Sequence, residues 1–143
     1  MEQFQQILLK YKWPIRIEGI KTSIKEIEAT FHFVLPSDYK DFLQKYLGSE
    51  NFIGEEFVRL WDAEEIIELN RSYNIVDNLP MTIAIGSNGS SEYLAIEMVC
   101  KDNYRVVISP FIDLDKQYHI EIGTSFTDFL LRTDSGQDWF KRA

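Results

Sequence analysis

Cysteine occurs once, at position 100, so the chain forms no internal disulfide and fits a reducing compartment. Histidine occurs twice, at positions 32 and 119, and neither has a partner at metal-ligand spacing. Long apolar runs are missing: nothing approaches the roughly 18 residues that a membrane span needs. The opening stretch, MEQFQQILLKYKWP, lacks the basic start and continuous apolar core of a secretory leader. Basic residues are also scarce. Fifteen Lys and Arg stand against 23 Asp and Glu, a formal charge of −8 with a pI near 4.7. That balance argues against unspecific binding to nucleic acid or an anionic membrane, and favours either plain solubility or a basic protein partner. These absences together predict a cytoplasmic protein with no nucleic-acid or membrane partner.

What is present is ordinary for a globular chain. Of 143 residues, 45% are hydrophobic and 27% charged, which suits one domain over residues 1–143. A chain of this length buries roughly two-thirds of its unfolded surface, so it folds without a metal or a disulfide staple.

The first half has helical periodicity. Phe4, Ile7, Leu8 and Tyr11 form one stripe that Pro14 should end. Ser23 and Glu26 read as a capping box for a helix with Ile24, Ile27 and Phe31 inside. Pro36 opens a third helix striped with Tyr39, Phe42, Leu43 and Tyr46, and Gly48 stops it. After a short strand from Phe57 to Trp61, Asp62 and Glu65 cap a helix whose inner face is Ala63, Ile66, Ile67 and Asn70.

Near Met81 the period changes to two. Residues 81–85, 92–98 and 104–109 read as strands, and 117–122 as a fourth. The alternation of Leu94, Ile96 and Met98 with Ala95 and Glu97 predicts a sheet with one buried face. Ser125 and Asp128 then cap a last helix bearing Phe126, Phe129 and Leu130. Helices, then neighbouring strands, then a helix define an α+β fold: an antiparallel sheet of four to six strands with helices packed against it.

Chemistry-bearing motifs are few. The loop GSNGSSE lacks the lysine of a phosphate-binding loop, so Gly86, Asn88 and Gly89 are assigned to a structural turn. Asp113-Leu114-Asp115 lacks the glycine and terminal Glu of a calcium loop. Cys100 ends a strand, where packing or inertness explains it better than nucleophilic chemistry. No catalytic residue, metal site or cofactor is assigned, and the chain is read as no enzyme.

The acid is unevenly spread. Residues 1–47 carry a net +1 and residues 71–143 a net −3, whereas 48–70 hold seven acids against Arg59 alone. Glu55, Glu56, Glu64, Glu65 and Glu68 are therefore candidate partner-binding charges, with Trp61 as a candidate anchor.

Four segments in order, LPSDYKDFLQKY, FVRLWDAEEIIELN, IAIGSNGSSEYLAIE and TSFTDFLL, resemble the SMI1/KNR4 (SUKH) family from about residue 20 to 132. The resemblance rests on Leu35, Pro36, Tyr39, Phe42 and Leu43, then Leu60, Asp62, Ile66 and Asn70. It continues through Ile83, Ile85, Gly86, Gly89, Tyr93 and Ile96 to Ser125, Phe126, Phe129 and Leu130. One departure is Leu47-Gly48-Ser49, where many members carry Asn-Gly. The resemblance implies a non-enzymatic immunity protein (antitoxin) that binds and neutralises a cognate toxin, often a nuclease, by occlusion. Fungal members are linked instead to cell-wall regulation, so a regulatory or scaffolding interaction domain stays open, as does a small-ligand binder.

Overall fold

The computed structural model describes residues 2–140. Six strands form one antiparallel sheet in sequential order. They are β1 (Ser49–Ile53), β2 (Glu56–Leu60), β3 (Thr82–Ser87), β4 (Glu92–Cys100), β5 (Asn103–Pro110) and β6 (Ile120–Gly123). Helices α1 (Gln3–Lys10), α2 (Ile24–Phe31) and α3 (Ser37–Lys45) precede the sheet. Between β2 and β3 lie α4 (Ile66–Ser72) and α5 (Ile75–Asn78), and α6 (Phe126–Asp134) closes the fold.

The expected pairings hold. Ile83 faces Ile96, and Ile96 faces Val106, all antiparallel. Two elements escaped the sequence reading. β1 has only two apolar residues, and one of them, Phe52, is exposed; it is a strand because β2 supplies its hydrogen bonds. Four-residue α5 is too short to show a period. The expected strand 117–122 begins late, because Asp115 caps a 3-10 turn at Lys116–Tyr118 by accepting from the Gln117 N–H.

Local signals explain most termini. Ser23 and Ser125 each accept the backbone N–H three residues on, from Glu26 and Asp128. Gly48 does not end α3 through a left-handed turn; Tyr46 terminates it in an extended conformation. Gly48 is needed instead for close approach, since a Cβ there would collide with the Asp62 backbone nitrogen. Gly86 is likewise no turn residue. It sits inside β3 beside a bulge, where a Cβ would meet the Arg59 carbonyl oxygen. The turn proper belongs to Asn88 and Gly89. Asn88 accepts from the Ser90 and Glu92 N–H groups, and Gly89 takes φ +76.

The core centres on Phe126. Its ring lies 5.4 Å from Tyr39, 5.3 Å from Phe42, 6.0 Å from Phe4 and 6.1 Å from Phe129. The stripes of α1, α3 and α6 thus converge on one side chain. Asp38 locks α3 to α6 by accepting both the N–H and the hydroxyl of Thr127, each at 2.8 Å. Trp139 extends the cluster, packing on Phe129 and donating its indole N–H to the Thr133 hydroxyl.

One expectation is corrected. The sheet is not open on one face: every residue of β3 and all of Tyr93–Glu97 in β4 are buried. On the side opposite Leu94 and Ile96, Tyr93 is covered by Phe111 and His119. Buried Asn70 of α4 tightens β3 further, accepting the Ala84 N–H and donating to the Ala84 carbonyl. Its amide thus pairs with the backbone as a neighbouring strand would, next to the bulge.

Truncation of the aromatic cluster leaves a cavity the helices cannot refill. Phe42→Ala and Phe129→Ala should each lower unfolding free energy by roughly 3–5 kcal/mol in denaturant titrations. Phe126→Ala should cost at least as much, because it contacts both.

Candidate functional site

The acidic segment is folded around Asp62, directly after β2. One carboxylate oxygen, Oδ1, accepts from Arg16 Nη2 at 2.7 Å and from the Gly48 N–H at 2.8 Å. The other, Oδ2, accepts the Glu64 N–H at 3.1 Å. Partial burial opposes the charge of Asp62, but the Arg16 guanidinium and these N–H groups outweigh it and hold the carboxyl below its ordinary value. The expected reciprocal cap is half present. Glu65 reaches back to the Asp62 N–H at 3.1 Å, while Asp62 serves Glu64 rather than Glu65, and α4 begins one turn later.

Among the sequence candidates, Glu64, Glu65 and Glu68 cluster at and just before the start of α4. Glu64 accepts the backbone N–H groups of Lys21 and Thr22 at 2.6 and 2.8 Å, which lower its pKa and tie down the approach to α2. Glu68 is exposed and makes no hydrogen bond or ion pair among the described residues. Glu55 and Glu56 lie elsewhere, at the turn end of the β1–β2 hairpin. The five residues of β2 put that end about 17 Å from Trp61. Glu56 is half-buried beside the Trp139 N–H, and burial pushes its carboxyl up, with Asp138 and Glu55 adding to the effect.

Trp61 is not an exposed anchor. It is 6% exposed and stacks on the ring of Tyr73 with centroids 6.0 Å apart and planes 10° from parallel. Tyr73, at 44% exposure, forms the accessible edge of that stack.

Two hollows flank the Asp62 junction. A cavity of about 360 Å³ is lined by Glu50, Arg59, Trp61, Glu65, Leu69 and Tyr73, with Gly48 at its margin. Here Arg59 Nε donates to Glu50 at 3.0 Å. The second, about 480 Å³, lies beyond Leu47 and Glu64. Its rim is apolar: Ile17 is 97% exposed, and Ile15 and Leu47 are also open. Neither lining is legible from local spacing, because the residues of each come from segments separated in the chain. Tyr73 had a usable signal, since it stands four residues after Leu69, one helical turn on.

A second charged set lies away from this junction, on β4, β5 and the segment after β5. Buried Glu97 accepts from Arg105 at 3.0 Å and contacts His119 Nδ1 at 2.9 Å, while His119 Nε2 contacts the Tyr93 hydroxyl at 3.0 Å. Burial lowers the His119 pKa, and Glu97 only partly offsets this, so the ring is neutral at pH 7. A neutral ring bonded to both neighbours donates from Nδ1 and accepts the tyrosine hydroxyl proton at Nε2. His32 is remote, at the C-terminus of α2 with φ 63. Cys100 is exposed rather than packed. Among the described residues no three His, Cys, Asp or Glu side chains converge as a metal site. Among them, too, no helix is long and apolar enough to cross a membrane.

An α+β domain with a six-stranded antiparallel meander, helices packed on it and an acidic, hollowed shelf at the β2–α4 junction is the class these features define. The SMI1/KNR4 family (SUKH-1) model matches residues 21–132, and the chain belongs to that family. A comparison with curated proteins finds no match. Helix α1 and Trp139 lie outside the matched span yet pack on Phe126 and Phe129.

Two pH effects follow. The Asp62 pKa lies below 3.8, so its stabilisation is complete above that value and is lost as pH falls through the folded-state pKa. Asp62→Asn should remove this acid dependence and, by leaving the Arg16 side chain buried without its counter-charge, destabilise at pH 7 by about 3 kcal/mol. His119 has a pKa lowered from 6.5, so the native state binds fewer protons than the unfolded chain just below that pH. Stability should therefore fall as pH drops from 6.5 toward the lowered value, and His119→Gln should flatten that slope in urea titrations.

Proposed function

We propose that this chain is a non-enzymatic immunity protein that binds a cognate toxin and neutralises it by occlusion, with a nuclease as the favoured toxin class. Family membership supports the general role. The observation that carries the finer reading is charge. Seven acids against one base occupy residues 48–70: Glu50, Asp62, Glu64, Glu65 and Glu68 near the junction with the two hollows, and Glu55 and Glu56 at the far end of the β1–β2 hairpin. A nuclease binds a polyanion and presents a basic cleft; an acidic shelf can cover that cleft, and its field speeds encounter. No bond is made or broken in such a mechanism, so it needs no cofactor.

The acids divide by duty. Glu64 and Glu65 hold backbone N–H groups, so reversing them would disturb the fold as well as any interface. Glu55 and Glu68 are exposed and make no hydrogen bond or ion pair among the described residues, which makes them clean probes. The partner is recovered by pull-down from the native cell and its association followed by stopped flow. Glu55→Lys with Glu68→Lys should slow association severalfold while leaving dissociation and circular dichroism near wild type. Wild-type association should also slow between about 50 and 300 mM salt, because exposed charges act through a screened field. Salt-independent association, unchanged in the double variant, would move the interface away from this shelf.

A further inference from the structure

The smaller hollow has the chemistry of a socket for one side chain. We infer that it takes a single basic side chain, arginine or lysine, from the protein partner; this rests on the proposed function and names its recognition element. Two carboxylates, Glu50 and Glu65, line the cavity against one guanidinium, Arg59, so the lining keeps a net negative charge. Glu65 uses Oε1 for the Asp62 N–H, and Glu50 uses Oε1 for Arg59. Each carboxylate therefore has a second oxygen to offer.

The walls fit the rest of such a side chain. Trp61 and Tyr73, stacked almost parallel, give the hollow a rigid aromatic wall. Leu69 supplies apolar surface for a methylene stem, which long basic side chains bury while their heads stay polar. At about 360 Å³ the cavity is ample for one such side chain and small for a folded element. Across the Leu47–Gly48 peptide, the exposed Ile15, Ile17 and Leu47 border the neighbouring hollow. An acidic side chain would meet the opposite field, since residues 48–70 carry a net −6.

The test uses the full chain and short capped peptides, with amide and indole NMR shifts as readout. The probes are acetyl-Gly-Arg-Gly-amide, its citrulline counterpart, which has nearly the same shape without the charge, and acetyl-Gly-Glu-Gly-amide. The arginine peptide should give saturable shifts at Trp61, Leu69 and Tyr73 with a Kd of about 1–10 mM, the range open to one buried side chain. The citrulline peptide should bind at least about fivefold more weakly, and the glutamate peptide should give no shifts there. Glu65→Gln keeps an oxygen for the Asp62 N–H, so Glu50→Gln with Glu65→Gln should weaken the arginine peptide similarly in a folded protein. If that variant unfolds, the arginine-to-citrulline ratio on wild type decides alone. Equal affinity for the two peptides, saturable shifts that map elsewhere, or no saturable shift would overturn the inference. The proposed function is separable: salt-dependent toxin binding with an inert socket defeats only the socket, and a socket that binds arginine without any toxin partner defeats only the immunity role.

Discussion

The contact between Asp62 and Gly48 organises the region that gives this protein its surface. Through it the end of α3, the start of β1, the end of β2 and the approach to α4 meet within hydrogen-bonding distance. Arg16 adds the segment after α1. Arg16 is almost wholly buried, so the pair stands only because the Asp62 oxygens are filled by N–H donors. Gly48 is required because the Asp62 backbone occupies the space a side chain would need. The two hollows lie on either side of this junction, so the partition between them is a consequence of packing rather than an added feature.

Charge in this protein therefore has two uses that composition cannot separate. Some acids are internal fasteners. Asp38 holds α6, Glu64 holds the Lys21–Thr22 backbone, and Glu97 is paired with Arg105 and Lys116 and hydrogen-bonded to His119. Others, Glu55 and Glu68 among them, project into solvent and supply field without supporting structure. Segment 48–70 mixes both kinds. The exposed acids can be changed without loss of a hydrogen bond, while the fastening acids keep the shelf in shape.

The aromatic residues show the same division. Tyr39, Phe42 and Phe126 are inside because three helical stripes converge, and Trp139 draws the chain end onto the same cluster. Trp61, Tyr73, Phe111 and Tyr93 instead form a ladder that runs from the acidic shelf to the second face of the sheet. That ladder covers the face which alternation in β4 left open to solvent. It ends at Tyr93, whose hydroxyl meets His119 and through it Glu97.

Local spacing alone determined the helices with strong stripes, their serine caps, the three central strands and their pairing, because those features depend on neighbours within a turn or a hairpin. It also located the charge, and through ordered motifs the family. What only the tertiary structure decided involves residues distant in sequence. β1 is a strand through its partner, Trp61 is buried because Tyr73 lies over it, and Glu97 is tolerated inside because Arg105 and His119 arrive from other segments. Gly48 and Gly86 are glycines because a second backbone passes close by, a demand no turn preference expresses. The acids could be counted from the sequence, but which of them are already occupied is a property of three-dimensional proximity, and that separates the shelf's fasteners from its free charges.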